Sequence, residues 1–222
     1  ELSFFNLRME DNYAKVNRVL SVLIVLQWFA AIFLAIFVSP YSWVGKEQVL
    51  SNHVPVAIIL GGLLTAFPIF LTLLYPRATL TRHVIVISQM LWSALLIHLT
   101  GGRLETHFHI FCSLGFFAAY RDWRLFITAT LVVASEHFLR GLYWPESIYG
   151  VNTPAWWRFL EHAWWVIFAN SLLIYLALQT RNEVANLARS DAQLKNAMQQ
   201  LASSSLSVKD SAGFLTRASY DL

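Results

Sequence analysis

Charge is scarce in this 222-residue chain. Asp, Glu, Lys and Arg make up 13% of it, where a soluble domain carries about 25%. Hydrophobic residues make up 57%, and mean hydropathy is +0.52. So few charges cannot cover a globule in water, and the chain reads as a membrane protein. Disorder and nucleic-acid binding are disfavoured on the same ground. Cysteine is nearly absent: Cys112 stands alone, which excludes an intramolecular disulfide and a CxxC zinc site. Also missing is a short basic segment followed by an apolar core and an Ala-x-Ala site, so no cleavable signal peptide is expected. The first apolar stretch is then expected to stay in the membrane. Because the sequence opens at Glu1 rather than Met, a trimmed natural start is expected.

What is present is six apolar runs. A spanning helix needs roughly 20 mostly apolar residues. Candidates are about Val19 to Val38, Pro55 to Leu74, His83 to Leu99, Thr106 to Tyr120, Leu125 to Trp144 and Trp156 to Leu178. The third and fourth are the weakest, because histidines interrupt them. The expected fold is all-α: a polytopic bundle of six transmembrane helices with a cytoplasmic coiled-coil helix at its C-terminus. Residues 1–18 form an N-terminal segment, 19–178 the bundle, 179–210 the coiled coil and 211–222 a further short segment. The net charge of +3 says less than its placement. With the N-terminus inside, Arg8, Lys15, Arg18, Arg77, Arg82, Arg121, Arg124 and Arg181 fall on the inner side. That bias predicts both termini in the cytoplasm. On the outer side Trp43, Tyr143, Trp144, Tyr149, Trp156 and Trp157 suit an interfacial aromatic belt.

After Leu178 the composition turns polar. From Gln179 to Asp210 there is no Pro or Gly, and Leu187, Leu194, Leu201 and Val208 recur every seven residues. Val184 and Met198 take the companion position, where Asp191 and Ser205 fit less well. This pattern predicts a short parallel coiled coil, and with it a homodimer.

Further on, Phe214-Leu215 is followed by Ala218-Ser219-Tyr220-Asp221-Leu222. This resembles the start of the phosphoacceptor box of sensor histidine kinases, FL-x-x-x-S-H-[DE]-L-R. Tyr220 stands where that family has its phosphorylated histidine. Upstream, Gly101-Gly-Arg-Leu-Glu-Thr-His-Phe-His109, Tyr120-Arg-Asp-Trp123, Glu136-His137-Phe-Leu-Arg-Gly141, Tyr149-Gly150 and Glu161-His162-Ala163 resemble an N-terminal membrane sensor module of bacterial sensor kinases. That likeness covers roughly residues 80–179. It implies a sensor of a two-component histidine kinase in the bacterial inner membrane, and a response regulator or receiver domain as partner. No ATP-binding domain follows, so phosphoryl transfer is not expected of this sequence itself.

Seven histidines are present. Ionisable residues inside a membrane are costly, face the bundle interior and point to function. At a rise of about 1.5 Å per residue, five of them fall within roughly 12 Å of the outer interface. These are His98, His107, His109, His137 and His162, from four helices. Glu105, Glu136 and Glu161 each lie within two residues of one of them. Bundles build metal sites from Glu and His on facing helices. Imidazole with carboxylate suits a transition metal such as Fe, Cu or Zn. Because His107 and His109 lie about 200° apart on a regular helix, they cannot both face one ion. The first-choice ligands are His98, His109, His137 and His162; His107, Glu105, Glu136 and Glu161 come second.

Alternatives remain open. Two histidines could hold haem b in a redox or gas sensor, with Arg103, Arg140 and Arg158 near the propionates. The site could be cofactor-free and sense protons, or be an apolar pocket for a lipophilic signal. A desaturase is disfavoured, since HxxxH and HxxHH boxes are absent. So is a transporter, since no inverted repeat is evident.

Overall fold

The computed structural model describes residues 2–44, 47–50, 52–150 and 157–220. Side chains are described over 4–41, 52–150 and 157–213. Trp156 therefore lies outside the described residues, and so do the side chains of Trp43 and Tyr220. Two compact units divide the chain. One is Met9–Arg181; the other joins the residues up to Arg8 with those from Asn182 onward.

Among the described residues seven helices and one hairpin follow in order: α1 Leu2–Phe37, β1 Tyr41–Val44, β2 Glu47–Leu50, α2 His53–Leu74, α3 Thr79–Leu99, α4 Leu104–Phe117, α5 Arg124–Tyr143, α6 Glu146–Tyr149 and α7 Arg158–Tyr220. A 3-10 turn, Ala118–Tyr120, ends α4. The antiparallel hairpin sets Tyr41 opposite Leu50 and Val44 opposite Glu47. Sequence reading had only a loop there, because four-residue strands show too little alternation. α1 begins well before its apolar run: Met9, Tyr13, Asn17, Leu20 and Ile24 are buried at helical spacing, so the polar start has its own inward face.

Among the described residues, five helices are long and apolar enough to cross a membrane: α1, α2, α3, α5 and α7. Their outward faces are apolar, with Phe29, Leu63, Phe67, Leu131, Phe168 and Leu172 exposed. Patches of that extent are intolerable in water and natural in lipid. α3 is the axis of the bundle. Its most apolar stretch is 72% buried, against 17–33% for the other four. It packs against α2, α4, α5 and α6.

α3 and α5 run parallel. His83 Nδ1 lies 2.9 Å from Thr128 Oγ1 near their starts, and Arg140 Nη1 donates to Ala94 O (3.0 Å) near their ends. Between them α4 leads from the end of α3 back to Asp122, which pairs with Arg82 at α3's start (3.1 Å). α4 has 14 residues, about 21 Å of rise.

The local punctuation is physical. Pro76 forces Tyr75 out of the helical region (φ −133°), which ends α2. Gly101 and Gly102 take left-handed φ of 68° and 77°, a region glycine enters without strain. A Cβ on Gly102 would sit 2.5 Å from Ile148 O, so α6 packs directly on this turn.

In the smaller unit, Val184 and Ala188 are buried. Arg8 pairs with Asp191, and Lys195 lies over the Phe4 ring (5.4 Å). The heptad residues Leu187, Leu194, Leu201 and Val208 remain 56–71% exposed.

Candidate functional site

Three imidazoles meet where α4, α5 and α7 converge. Ring centroids are 5.8 Å apart for His107–His137, 5.4 Å for His107–His162 and 5.5 Å for His137–His162. His107 and His137 are buried, and His162 is half-buried.

Their hydrogen bonds set the tautomers. His107 Nδ1 lies 2.9 Å from Arg103 O, one turn back on its own chain. His162 Nδ1 lies 3.0 Å from Arg158 O, likewise one turn back. A carbonyl only accepts, so both Nδ1 atoms carry the proton and both Nε2 atoms carry a lone pair. His137 Nδ1 is 2.6 Å from Glu136 Oε2. His107 Nε2 and both ring nitrogens of His137 are buried with no hydrogen-bond partner, the Glu136 contact being close but outside hydrogen-bond geometry. A buried acceptor left unmade costs about 1–3 kcal/mol. Metal-ligating histidines commonly have their far nitrogen held by a carbonyl or carboxylate, as His107 and His162 do here. Three imidazoles bound through Nε2 to one tetrahedral ion, at about 2.0–2.1 Å, hold their centroids about 5 Å apart. As the side chains stand, no three His, Cys, Asp or Glu among the described residues are arranged to hold an ion.

Glu136 ties this cluster to the loops beyond. It accepts from Arg140, which also donates to Ala94 O (3.0 Å), to Ser147 O (2.8 Å) and to Ser147 Oγ. Ser147 Oγ lies 2.8 Å from His98 Nδ1. His98 stacks at 4.9 Å on Trp144 and at 5.5 Å on His53. These rings border an open cavity of about 740 Å³, lined also by Thr100, Arg103 and Glu146. Tyr149 packs 5.6 Å from His162. Its hydroxyl is buried without a partner, and burial pushes its phenol pKa up against the pull of Arg158.

The structure thus gathers His107, His137, His162 and Glu136, and sends the other expected ligands elsewhere. His98 belongs to the cavity. His109 faces α1 and α3: its Nδ1 is 2.7 Å from Ser93 Oγ and its Nε2 is 3.0 Å from Gln27 Nε2. With both nitrogens engaged it is a neutral strut. Glu105 and Glu161 are exposed, as is Cys112. Sequence reading passed over Ser147 and Gln27, took Ser93 as a residue that could bond across helices, and gave Arg140 no link to Glu136. Arg140 was findable, because it lies four residues after Glu136 on one apolar helix.

At the other end of the bundle Arg82 pairs with Asp122 and lies 4.1 Å over the Tyr13 ring. Tyr120 Oη donates to Asn17 Oδ1 (2.6 Å), and Asn17 Nδ2 donates to Pro76 O (2.7 Å).

No protein-family profile matches the chain, and no solved structure matches it. Among curated proteins, 111 residues are 27% identical to the transducer protein Htr8 of Halobacterium salinarum. The match covers 48% of this chain and 17% of that protein, so the chain corresponds to a small part of its relative. The similarity is that of a membrane protein to a signal transducer.

Proposed function

We propose that this chain is the membrane sensor module of a signalling protein, and that His107, His137 and His162 bind one transition-metal ion, Fe, Cu or Zn. The observation that carries the reading is the convergence of three imidazoles, two of which hold Nδ1 on a backbone carbonyl and so leave Nε2 for a ligand. A bound cation would take the lone pairs that the fold leaves unsatisfied, after small rotations of the rings. Glu136 would orient His137 and offset part of the ion's charge. Three rings at this spacing suit a bare ion better than haem b, which takes axial ligands on opposite faces of a macrocycle.

The parallel run of α3 and α5 supports a reading with six crossings, in which α4 and its 3-10 turn return the chain across the bundle. Their combined rise is about 27 Å, close to the roughly 30 Å of a hydrocarbon core. Both termini then lie on one side, which the basic residues assign to the cytoplasm. In this reading the module sits in a bacterial inner membrane. α7 carries the response toward a kinase region that begins near Tyr220 and acts on a response regulator or receiver domain. The exposed heptad of Leu187, Leu194, Leu201 and Val208 pairs with a second copy.

Metal analysis by inductively coupled plasma mass spectrometry tests the site. About one equivalent of a single metal per chain is expected, lost in His107→Ala, His137→Ala and His162→Ala and kept in His109→Ala. Chains without metal, or triad variants that retain it, would overturn the reading.

A second reading has its own observation, the 740 Å³ cavity beside His53, His98 and Trp144. It would make the module a receptor for a small organic signal. An organic compound co-purifying with metal-free protein would favour it.

A further inference from the structure

Asp11, Ala14, Lys15 and Arg18 fall at i, i+3, i+4 and i+7 of α1 and share one face. Opposite them is the α2–α3 turn: Tyr75, Pro76, Arg77 and Ala78. Together they line an open concavity of about 660 Å³ at the end of the bundle away from the imidazoles. Three cations stand there against one carboxylate. Arg77 Nη2 takes that carboxylate, 2.7 Å from Asp11 Oδ1, and among the described residues the ion pairs give no carboxylate to Lys15 or Arg18.

A second feature points the same way. α3 starts at the rim of this concavity, with Ala78 as its N-cap and no side-chain cap. The first N–H groups of a helix lack intrahelical acceptors, and its dipole favours an anion there. The turn is held in place by Asn17 Nδ2 on Pro76 O (2.7 Å) and by Thr81 Oγ1 on Tyr75 O (2.7 Å). The concavity is therefore formed before any ligand arrives.

The same stripe of α1 changes character one turn further on. After Lys15 and Arg18 come Val22, Leu26 and Phe29, all exposed. At the end of α2, next to Thr72, which bonds Ser21 of α1 (3.0 Å), Leu73 and Leu74 are exposed as well, and so is Tyr75. Cations followed along one face by bare apolar side chains mirror an anionic phospholipid, headgroup first and acyl chains after. A merely topological cluster of basic residues needs neither the concavity nor the uncapped helix.

We infer that this concavity is a binding site for a phosphate-bearing headgroup, and that its occupant is an anionic phospholipid whose acyl chains lie along Val22, Leu26, Leu73 and Leu74. Basic pockets between helices at the membrane surface bind such headgroups. Lys15, Arg18 and Arg77 contact the phosphate. Asp11 competes with it for Arg77.

The test uses the full chain in nanodiscs of phosphatidylcholine, with and without phosphatidylglycerol, read by native mass spectrometry and by thermal midpoint. Wild type is expected to retain phosphatidylglycerol about tenfold over phosphatidylcholine and to melt several degrees higher with it. Lys15→Gln combined with Arg18→Gln should lose both effects, while Arg103→Gln at the other end of the bundle keeps them. Asp11→Asn should bind phosphatidylglycerol more tightly than wild type, a direction that no folding defect produces. Equal retention of the two lipids, or full retention by the double variant, would overturn the site. Inorganic phosphate and glycerol 1-phosphate, added to phosphatidylcholine discs, form the control arm. If either reproduces the whole thermal shift, the occupant is a soluble phosphate and the lipid assignment falls.

Discussion

The two ends of the bundle handle buried polar groups in opposite ways. At the Arg82 end, Arg82 meets Asp122 and the Tyr13 ring, Tyr120 donates to Asn17, and Asn17 donates to Pro76. At the His107 end, three imidazole nitrogens and the Tyr149 hydroxyl are buried with no hydrogen-bond partner. The first cluster ties α1, α3 and α5 to the loops and is complete without help. The second is incomplete, and under the proposed function a bound ion would complete it. Both are polar clusters in an apolar bundle, so polarity alone does not separate a fastening from a binding site. The tally of donors against acceptors is what differs between the two.

That contrast can be broken most forcefully at the complete end. Removing one partner of a buried ion pair costs about 3–5 kcal/mol. Asp122→Ala should therefore lower the thermal midpoint of the purified protein more than any single change in the imidazole cluster. At the incomplete end the loss should fall on binding. Glu136→Gln is expected to weaken metal affinity about 10–100-fold, measured by competition with a chelator, while the apo protein melts close to wild type. If the apo variant collapses instead, Glu136 is a structural anchor through Arg140. Gly102→Ala should come next, at about 1–3 kcal/mol, since alanine there is strained at φ 77° and meets Ile148 O. Its thermal midpoint checks this. Tyr120→Phe strands the buried Asn17 carbonyl and should cost about 1–2 kcal/mol. Smallest of all, Glu161→Gln on the exposed face of α7 should change neither melting nor metal content; a loss of metal there would enlarge the site beyond the triad.

Much of the architecture was legible because lipid reads composition. The apolar runs of α2, α3 and α5 stand out to within a few residues of their helices, and Pro76 and the Gly101-Gly102 pair mark turns by backbone chemistry alone. The start of α1 was not legible by the same measure. Its inward face is built from Met9, Tyr13 and Asn17, which a hydropathy window averages away against Arg8, Glu10 and Lys15. The hairpin at Tyr41–Leu50 was missed for a similar reason, since its stability comes from cross-strand partners and not from a long pattern.

The histidines show where local reading stops. Depth along a helix is arithmetic on residue number, and it put five imidazoles at one level. Azimuth is different. His107 and His109 share a depth and differ by more than half a turn, so the choice between them rests on which neighbours surround α4. Packing sets α5 and α7 beside His107, and α1 and α3 beside His109. The sequence by itself determined that this is a membrane protein of apolar helices with a layer of histidines, because those are properties of single helices in lipid. Only the tertiary structure decided which three imidazoles meet, which is tied down by Ser93 and Gln27, and which lines a cavity. Those outcomes depend on the rotation of each helix about its own axis, and that rotation is fixed by contacts between segments far apart in the chain.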